Sequence, residues 1–167
     1  METKGIDVSS YQGIIDWGQV ASAGYKYAVL RCITRSGVDH QFERNYIQAK
    51  NAGIKVGVYA FSYALTRDQA VKEAERVVNL LNGRALELPV YLDLEWGEQR
   101  KLGKEQLTVI AQAFLQTVKN NTVYQVGIYC NTDWYNNVLD SSALPYDYWI
   151  ASYGINNGNP NRRPDIP

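Results

Sequence analysis

The sequence predicts an α/β domain built on parallel strands, and three observations carry that expectation. Short apolar strands alternate with amphipathic helices along almost the whole chain, the pattern of parallel strands joined by helical crossovers. The strands are apolar enough to be covered on both faces. Polar residues gather at the C-terminal ends of several strands, namely Asp7, Tyr59, Asp93, Glu95 and Tyr129, which is where the active sites of β/α barrels lie. An open doubly wound sheet and a closed barrel both fit the alternation. The phosphate-cradling signatures of the first, GxGxxG or GxxxxGKS/T after a strand, are absent.

The elements follow in order. GIDVSSY opens the first strand at Gly5. Asp16 caps a short helix, with Gln19 at the capping-box position and Gly24 as the stop. YKYAVLRCI is the second strand. A helix from about Gln41 to Ala52 puts Phe42, Tyr46 and Ala49 on one face and ends at Gly53. KVGVYAFSYA is the third strand. Thr66 and Gln69 form another capping box, and that helix runs to about Asn82 before Gly83. LPVYLDLEW is the fourth strand. The segment GKEQLTVIAQAFLQTVKNN is a long helix with Leu107, Ile110, Phe114 and Val118 along one face. YQVGIYCN is the fifth strand, a short helix spans about Asp133 to Leu139, and YDYWIASYG is the sixth strand. The tail GINNGNPNRRPDIP reads as loop.

Composition bounds the function. The chain has 167 residues and zero formal net charge, so no basic excess points to nucleic acid. No apolar run approaches the ~20 residues of a membrane span. The N-terminus enters a strand almost at once, with no signal-peptide core. Cys32 and Cys130, the two cysteines, are expected to be small buried hydrophobes rather than a disulfide. No CxxC or Cys/His cluster suggests zinc, and His40 sits in a polar stretch that reads as surface loop. Tyr is the leading aromatic, 13 against 4 Trp and 3 Phe; such rings suit sugars, and also simply suit sheets.

PVYLDLEW (89–96) raises the chemical question. Residues two apart on a strand share a face, so Asp93 and Glu95 point inward while Leu92 and Leu94 meet the helices. Two carboxyls in one poorly solvated space disfavour each other's ionisation. One is expected to keep its proton near neutral pH while the other stays ionised, the division of labour that glycoside cleavage uses. Asp7 is placed to supply a third. The competing possibilities are a helix-capping acid, an acid paired to Arg31, or a carboxylate metal site.

Three segments sharpen this: KGIDVSSYQGIIDW (4–17), GVYAFSYA (57–64) and PVYLDLEW. With VGIYCN and YWIASYG they occur in the order and spacing of one family. The chain resembles the Chalaropsis-type lysozymes, glycoside hydrolase family 25. That resemblance implies a modified TIM-like barrel, five β/α units followed by strands without regular helices, with residues 1–167 forming one domain. It implies a retaining muramidase that cuts the β-1,4 bond between N-acetylmuramic acid and N-acetylglucosamine. Its partner is the glycan strand of bacterial peptidoglycan, it acts outside the cell or in the wall, and it uses no cofactor or metal. Glu95 would be the acid and later the base. Asp93 and Asp7 would be its anionic partners, acting either through a covalent nucleophile or beside the substrate's own acetamido group. Tyr59, Phe61, Tyr129, Trp149 and Tyr153 fall on groove-lining positions. Gln12 is expected to orient Asp7, and Trp96 to stack on a sugar or pack under a loop.

The chain departs from the family pattern at three places. Ala60 stands where many members have His, RCITRSG replaces Lys-Ala-Thr-Glu-Gly with Arg31 in place of the Lys, and the family's last strands do not follow Pro167. The domain is therefore expected to be cut short of its native end. A non-catalytic barrel that binds cell-wall glycan through the same aromatic groove is the alternative from a different class.

Overall fold

The computed structural model describes residues 3–153. The loop expected over 154–167, and the question of further strands, lie outside the described residues. One sheet carries the structure. Strands β1 (Gly5–Val8), β2 (Tyr27–Thr34), β4 (Lys55–Phe61), β5 (Val90–Asp93), β6 (Val126–Asn131) and β7 (Asp147–Ala151) lie in that order and pair parallel throughout. A two-residue strand, β3 (Gly37–Val38), turns back antiparallel onto the end of β2; its brevity hid it in the sequence. Helices α1 (Trp17–Ser22), α2 (Phe42–Asn51), α3 (Arg67–Leu81) and α4 (Lys104–Asn121) form the crossovers. Where a fifth short helix was expected, Trp134–Val138 makes one π-helical turn.

The predicted starts rest on real caps. The Asp16 carboxylate accepts from the Gln19 N–H at 3.0 Å. Thr66 accepts from the Gln69 N–H, while the Gln69 side chain reaches back to the Leu65 N–H at 2.7 Å, one residue before the expected partner. Strand β1 ends earlier than expected because Ser9 caps a 3-10 turn, Ser10–Gln12. The Gln12 side chain accepts from the Ser9 N–H at 2.7 Å. Gln12 therefore shapes this turn; the proposed hydrogen bond from Gln12 to Asp7 is not formed.

The two faces of the sheet have opposite characters. Ala28, Leu30 and Cys32, then Val56, Val58 and Ala60, then Val90, Leu92 and Leu94, then Val126, Ile128 and Cys130 point to the helices and are buried. They meet Ala70, Ala74 and Val77 of α3 and Leu107, Ile110, Phe114 and Val118 of α4, all buried. Each fully buried large side chain contributes roughly 1.5–3 kcal/mol, so this face drives assembly. Both cysteines belong to it and are free thiols, and burial pushes each pKa up to about 12.

The other face curls on itself into a half-barrel. In a flat sheet, β4 and β7 would stand roughly 14 Å apart, three strand spacings. The rings of Tyr59 on β4 and Trp149 on β7 instead have centroids 6.2 Å apart. Tyrosines fill this concave side, and glycines make room for them. A Cβ on Gly127 would lie 2.8 Å from the Asp147 carbonyl oxygen and 2.8 Å from the Tyr91 ring. A Cβ on Gly5 would lie 2.0 Å from the Tyr27 ring.

Gly127→Ala forces backbone or ring out of place and is expected to cost about 1–3 kcal/mol, a fall in Tm of roughly 2–4 °C for each kcal/mol. Gly97→Ala, whose Cβ meets nothing within 4 Å, should leave Tm unchanged in the same thermal melt.

Candidate active site

All six parallel strands send residues to one cleft at their C-terminal ends. It has a volume of about 200 Å³ and is lined by Asp7 (β1), Arg31 (β2), Tyr59 and Phe61 (β4), Asp93 and Glu95 (β5 and just past it), Tyr129 (β6) and Trp149 (β7), with Tyr11 from the 3-10 turn. Of the residues expected from the sequence, Glu95, Asp93, Asp7, Tyr59, Phe61, Tyr129 and Trp149 meet there. Tyr153 does not line the cleft. It is exposed, and it joins the site through a hydrogen bond with the Tyr129 hydroxyl. A larger hollow of about 720 Å³ opens at the opposite end of the sheet. Its charges are already spent, Arg84 on Glu43 and Glu87 on Lys50.

Strand pairing sets the geometry. Asp93 lies between Phe61 on β4 and Tyr129 on β6. The ladder ends there, but the Leu94 N–H still donates to the Tyr129 carbonyl at 3.0 Å, so Leu94 stays on the helix side and Glu95 enters the cleft. A buried polar knot holds the following loop. Ser62 donates through its hydroxyl to Glu73 at 2.7 Å and through its N–H to the Asp93 carbonyl at 3.0 Å. The Gln99 side-chain amide donates to the Ser62 hydroxyl and the Ala64 carbonyl. These bonds tie the segment carrying Glu95 and Trp96 to the end of β4. Trp96 itself packs edge-on against Tyr63, with centroids 5.2 Å apart.

Asp93 is the electrostatic centre. It is 2% exposed, and its Oδ1 has no hydrogen-bond partner among the described residues. Burial first, then the nearby Glu95 and Asp7, push its pKa up to about 9, against a partial pull from Arg31. Burial, then Asp7, also raises Glu95 above its ordinary value. Burial raises Asp7 as well, less securely than Asp93 because the residue is among the exposed ones, on the outermost of the described strands. Tyr59 and Tyr129 stay firmly protonated for the same reason, burial.

Arg31 lines the same cleft and is the nearest candidate counter-ion for Asp93 among the described residues. It is committed elsewhere. Its Nε donates to Asp39 at 2.7 Å, its Nη2 donates to the Ser10 hydroxyl at 2.8 Å, and its guanidinium lies 4.8 Å over the Tyr11 ring. Asp39 is buried, and burial works to raise its pKa. The N–H groups of Ser10 and Gln41 and the Arg31 guanidinium outweigh that and hold it below the usual range. Asp39 and Tyr11 escaped the sequence reading. Asp39 lay in a polar stretch, next to the exposed His40, with no periodicity to mark it as buried. The sequence marks Arg31 only as a partner for a strand-end acid and as the stand-in for the family's Lys.

Among the described residues, no cluster of His, Cys, Asp and Glu is arranged to hold a metal ion. The site can do acid–base chemistry on a polar chain laid against aromatic rings.

The Asp93 shift has a sign that can be tested. The folded state holds the Asp93 proton more tightly than the unfolded chain, whose value is near 3.8. Stability from this group is therefore full below about pH 4 and drains away as pH rises towards 9. Asp93→Asn removes that loss. Its Tm should equal wild type near pH 4 and exceed it increasingly up to pH 8, as read by parallel melts; a gap that is absent or reversed would refute the burial argument.

Comparison with known proteins agrees with this geometry. A family model described as Glycosyl hydrolases family 25 matches residues 6–165. The autolytic lysozyme of Clostridium acetobutylicum is 28% identical over 157 residues, covering 93% of this chain and 47% of that protein. Lysozyme M1 of Streptomyces globisporus is 29% identical, covering 91% of this chain and 55% of its own length. The chain thus spans about half the length of these curated relatives. A solved family 25 glycosyl hydrolase from Bacillus anthracis superposes with a TM-score of 0.79 at 27% identity, over 90% of this chain and 70% of that one. The match runs along nearly the whole sequence and extends to the curled parallel sheet, and the chain belongs to glycosyl hydrolase family 25.

Proposed function

We propose that this domain is a retaining muramidase that cleaves the β-1,4 bond between N-acetylmuramic acid and N-acetylglucosamine in bacterial peptidoglycan. The observation that carries the proposal is the pair Asp93 and Glu95, which have no ion-pair partner among the described residues inside an aromatic cleft while Arg31 is taken by Asp39. A cleft of about 200 Å³ is smaller than the ~300 Å³ at which enclosed ligand pockets begin. It suits one stretch of a long chain that continues past its ends.

Each group then has a task. Glu95, with its raised pKa, gives a proton to the leaving oxygen and later takes one from the attacking water. Asp7, the most exposed of the three carboxyls among the described residues, is the carboxylate best placed to stay ionised and face the positive charge that develops on the sugar. Asp93 keeps its proton at neutral pH and is a poor nucleophile in that state. The attack from the far side therefore falls to the substrate's acetamido oxygen, and the carbonyl oxygen of the Asp93 carboxyl steadies that group by accepting from its N–H as positive charge builds there. Substrate assistance is an established variant of the two-carboxylate scheme. Tyr59, Phe61, Tyr129 and Trp149 provide flat faces for the sugar rings.

The competing glycan-binding role separates on one substitution. Glu95→Gln should cut the release of reducing ends from purified walls by ~10²–10⁴-fold while wall binding is kept, and mass analysis of wild-type fragments should show muramic acid at the reducing end. Binding without release by the wild type would make the domain a binder. Because the acid must be protonated, kcat/KM of the wild type should fall as pH rises through the Glu95 pKa, on a limb lying above 4.5. Glu95→Gln should abolish that limb in the residual rate.

A further inference from the structure

A second feature lies beside the cleft and has no task in the chemistry above. Arg35, Tyr63 and Trp96 follow the ends of β2, β4 and β5. The Arg35 guanidinium lies over both rings, 5.7 Å from the centroid of Tyr63 and 5.5 Å from that of Trp96. Tyr63 in turn packs at 4.8 Å against Phe61, which lines the cleft. An unbroken run of rings thus leads from the carboxylates out to one cation. Arg35 is exposed and makes no ion pair among the described residues. Beyond it opens a hollow of about 550 Å³ whose rim carries two more cations from α3, Lys72 and Arg76, one helical turn apart. They too are exposed and without an ion pair among the described residues. Two acids border the same hollow. Glu73 is buried and occupied by Ser62 and the Tyr63 N–H, which leaves Glu75 as the one exposed carboxylate against three cations among the described residues that line it.

We infer that Arg35, backed by Lys72 and Arg76, is an anion-binding shelf that takes the carboxylate of a peptide stem carried by the sugar chain in the cleft. This rests on the muramidase proposal and names the part of the substrate that sets its preference. The chemistry fits. A guanidinium held against aromatic rings by cation–π attraction still has N–H groups to offer a planar carboxylate, and the rings hold it in place at a smaller entropic cost. Wall phosphate polymers are a second source of anions. The peptide is favoured because the rings connect the shelf directly to the sugar seat, and a stem is joined to the sugar itself.

The test uses glycan strands with intact stems and the same strands after a muramoyl-amidase has removed them. Arg35→Ala should lower kcat/KM on the stem-bearing strands about two- to fivefold, the range of an exposed ionic contact. The loss should fall on KM, and cleavage of the stripped strands should be unchanged. Arg35→Ala/Lys72→Ala/Arg76→Ala should deepen the loss on the first substrate only. Equal losses on both substrates, or no loss on either with the triple variant, overturn the shelf. Walls freed of phosphate polymer but keeping their stems must still show the difference; if it vanishes, the ligand is phosphate and the inference fails. Should the wild type release no reducing ends from either substrate, the muramidase proposal fails. The shelf is then judged by sedimentation binding, where the triple variant must lose affinity for stem-bearing strands alone.

Discussion

Asp93 occupies a buried position where its charge finds no ion pair among the described residues, and the rest of the site is arranged around that fact. The cause is architectural. Covering one face of the sheet with α3 and α4 fixes Leu92 and Leu94 outward, and the alternation of a strand then compels Asp93 inward. The inward face is a curled wall of aromatic rings. Trp149 is its hub, touching Tyr59, Tyr91 and Tyr129 with centroids 6.2, 5.4 and 4.4 Å away. Asp93 is almost fully buried against that wall, and burial favours its protonated form.

A cation nearby would normally relieve such a group, and Arg31 lies on the lining of the same cleft. What prevents it is a competing acid of higher quality. Asp39 offers Arg31 a 2.7 Å contact and is itself held by two backbone N–H groups. A carboxylate with those donors stays charged even when buried, so Arg31 gains more from Asp39 than from Asp93. The short β3 strand and the 3-10 turn after β1 are the elements that bring Asp39 and Ser10 to this spot. Small, irregular pieces of the fold therefore protect the acidity of the site, while the regular pieces create it.

Much of this was legible in the sequence, for physical reasons. The six parallel strands and the cores of α2, α3 and α4 announced themselves through periodicity and caps, because their apolar faces must be buried. Strand phase put Asp93 and Glu95 on one face, the place of Asp7 near the end of the first strand made it a third candidate, and the family resemblance is matched by the family model. Features set by tertiary contact were not legible. Nothing local marks Asp39 as buried, distinguishes Gln12 closing its own turn from Gln12 reaching Asp7, or reveals which of two neighbouring acids is the drier. Strand phase predicted one retained proton between Asp93 and Glu95. The surroundings raise both and place the stronger hold on Asp93, since Glu95 lies beyond the ladder and is only half-buried. The resemblance put Tyr153 on the sixth strand among the groove-lining residues, but β7 stops at Ala151 and Tyr153 is exposed, reaching the site only through Tyr129.

The central claim concerns one proton, and a direct titration reaches it. Carbon-detected NMR of the aspartate carboxyls, with the Asp93 resonance assigned by its absence in an Asp93→Asn sample, reports that group alone. A midpoint near pH 9 is the result this account predicts. A midpoint in the ordinary range of about 3–5 would mean that Asp93 is hydrated or paired in solution, and would contradict it.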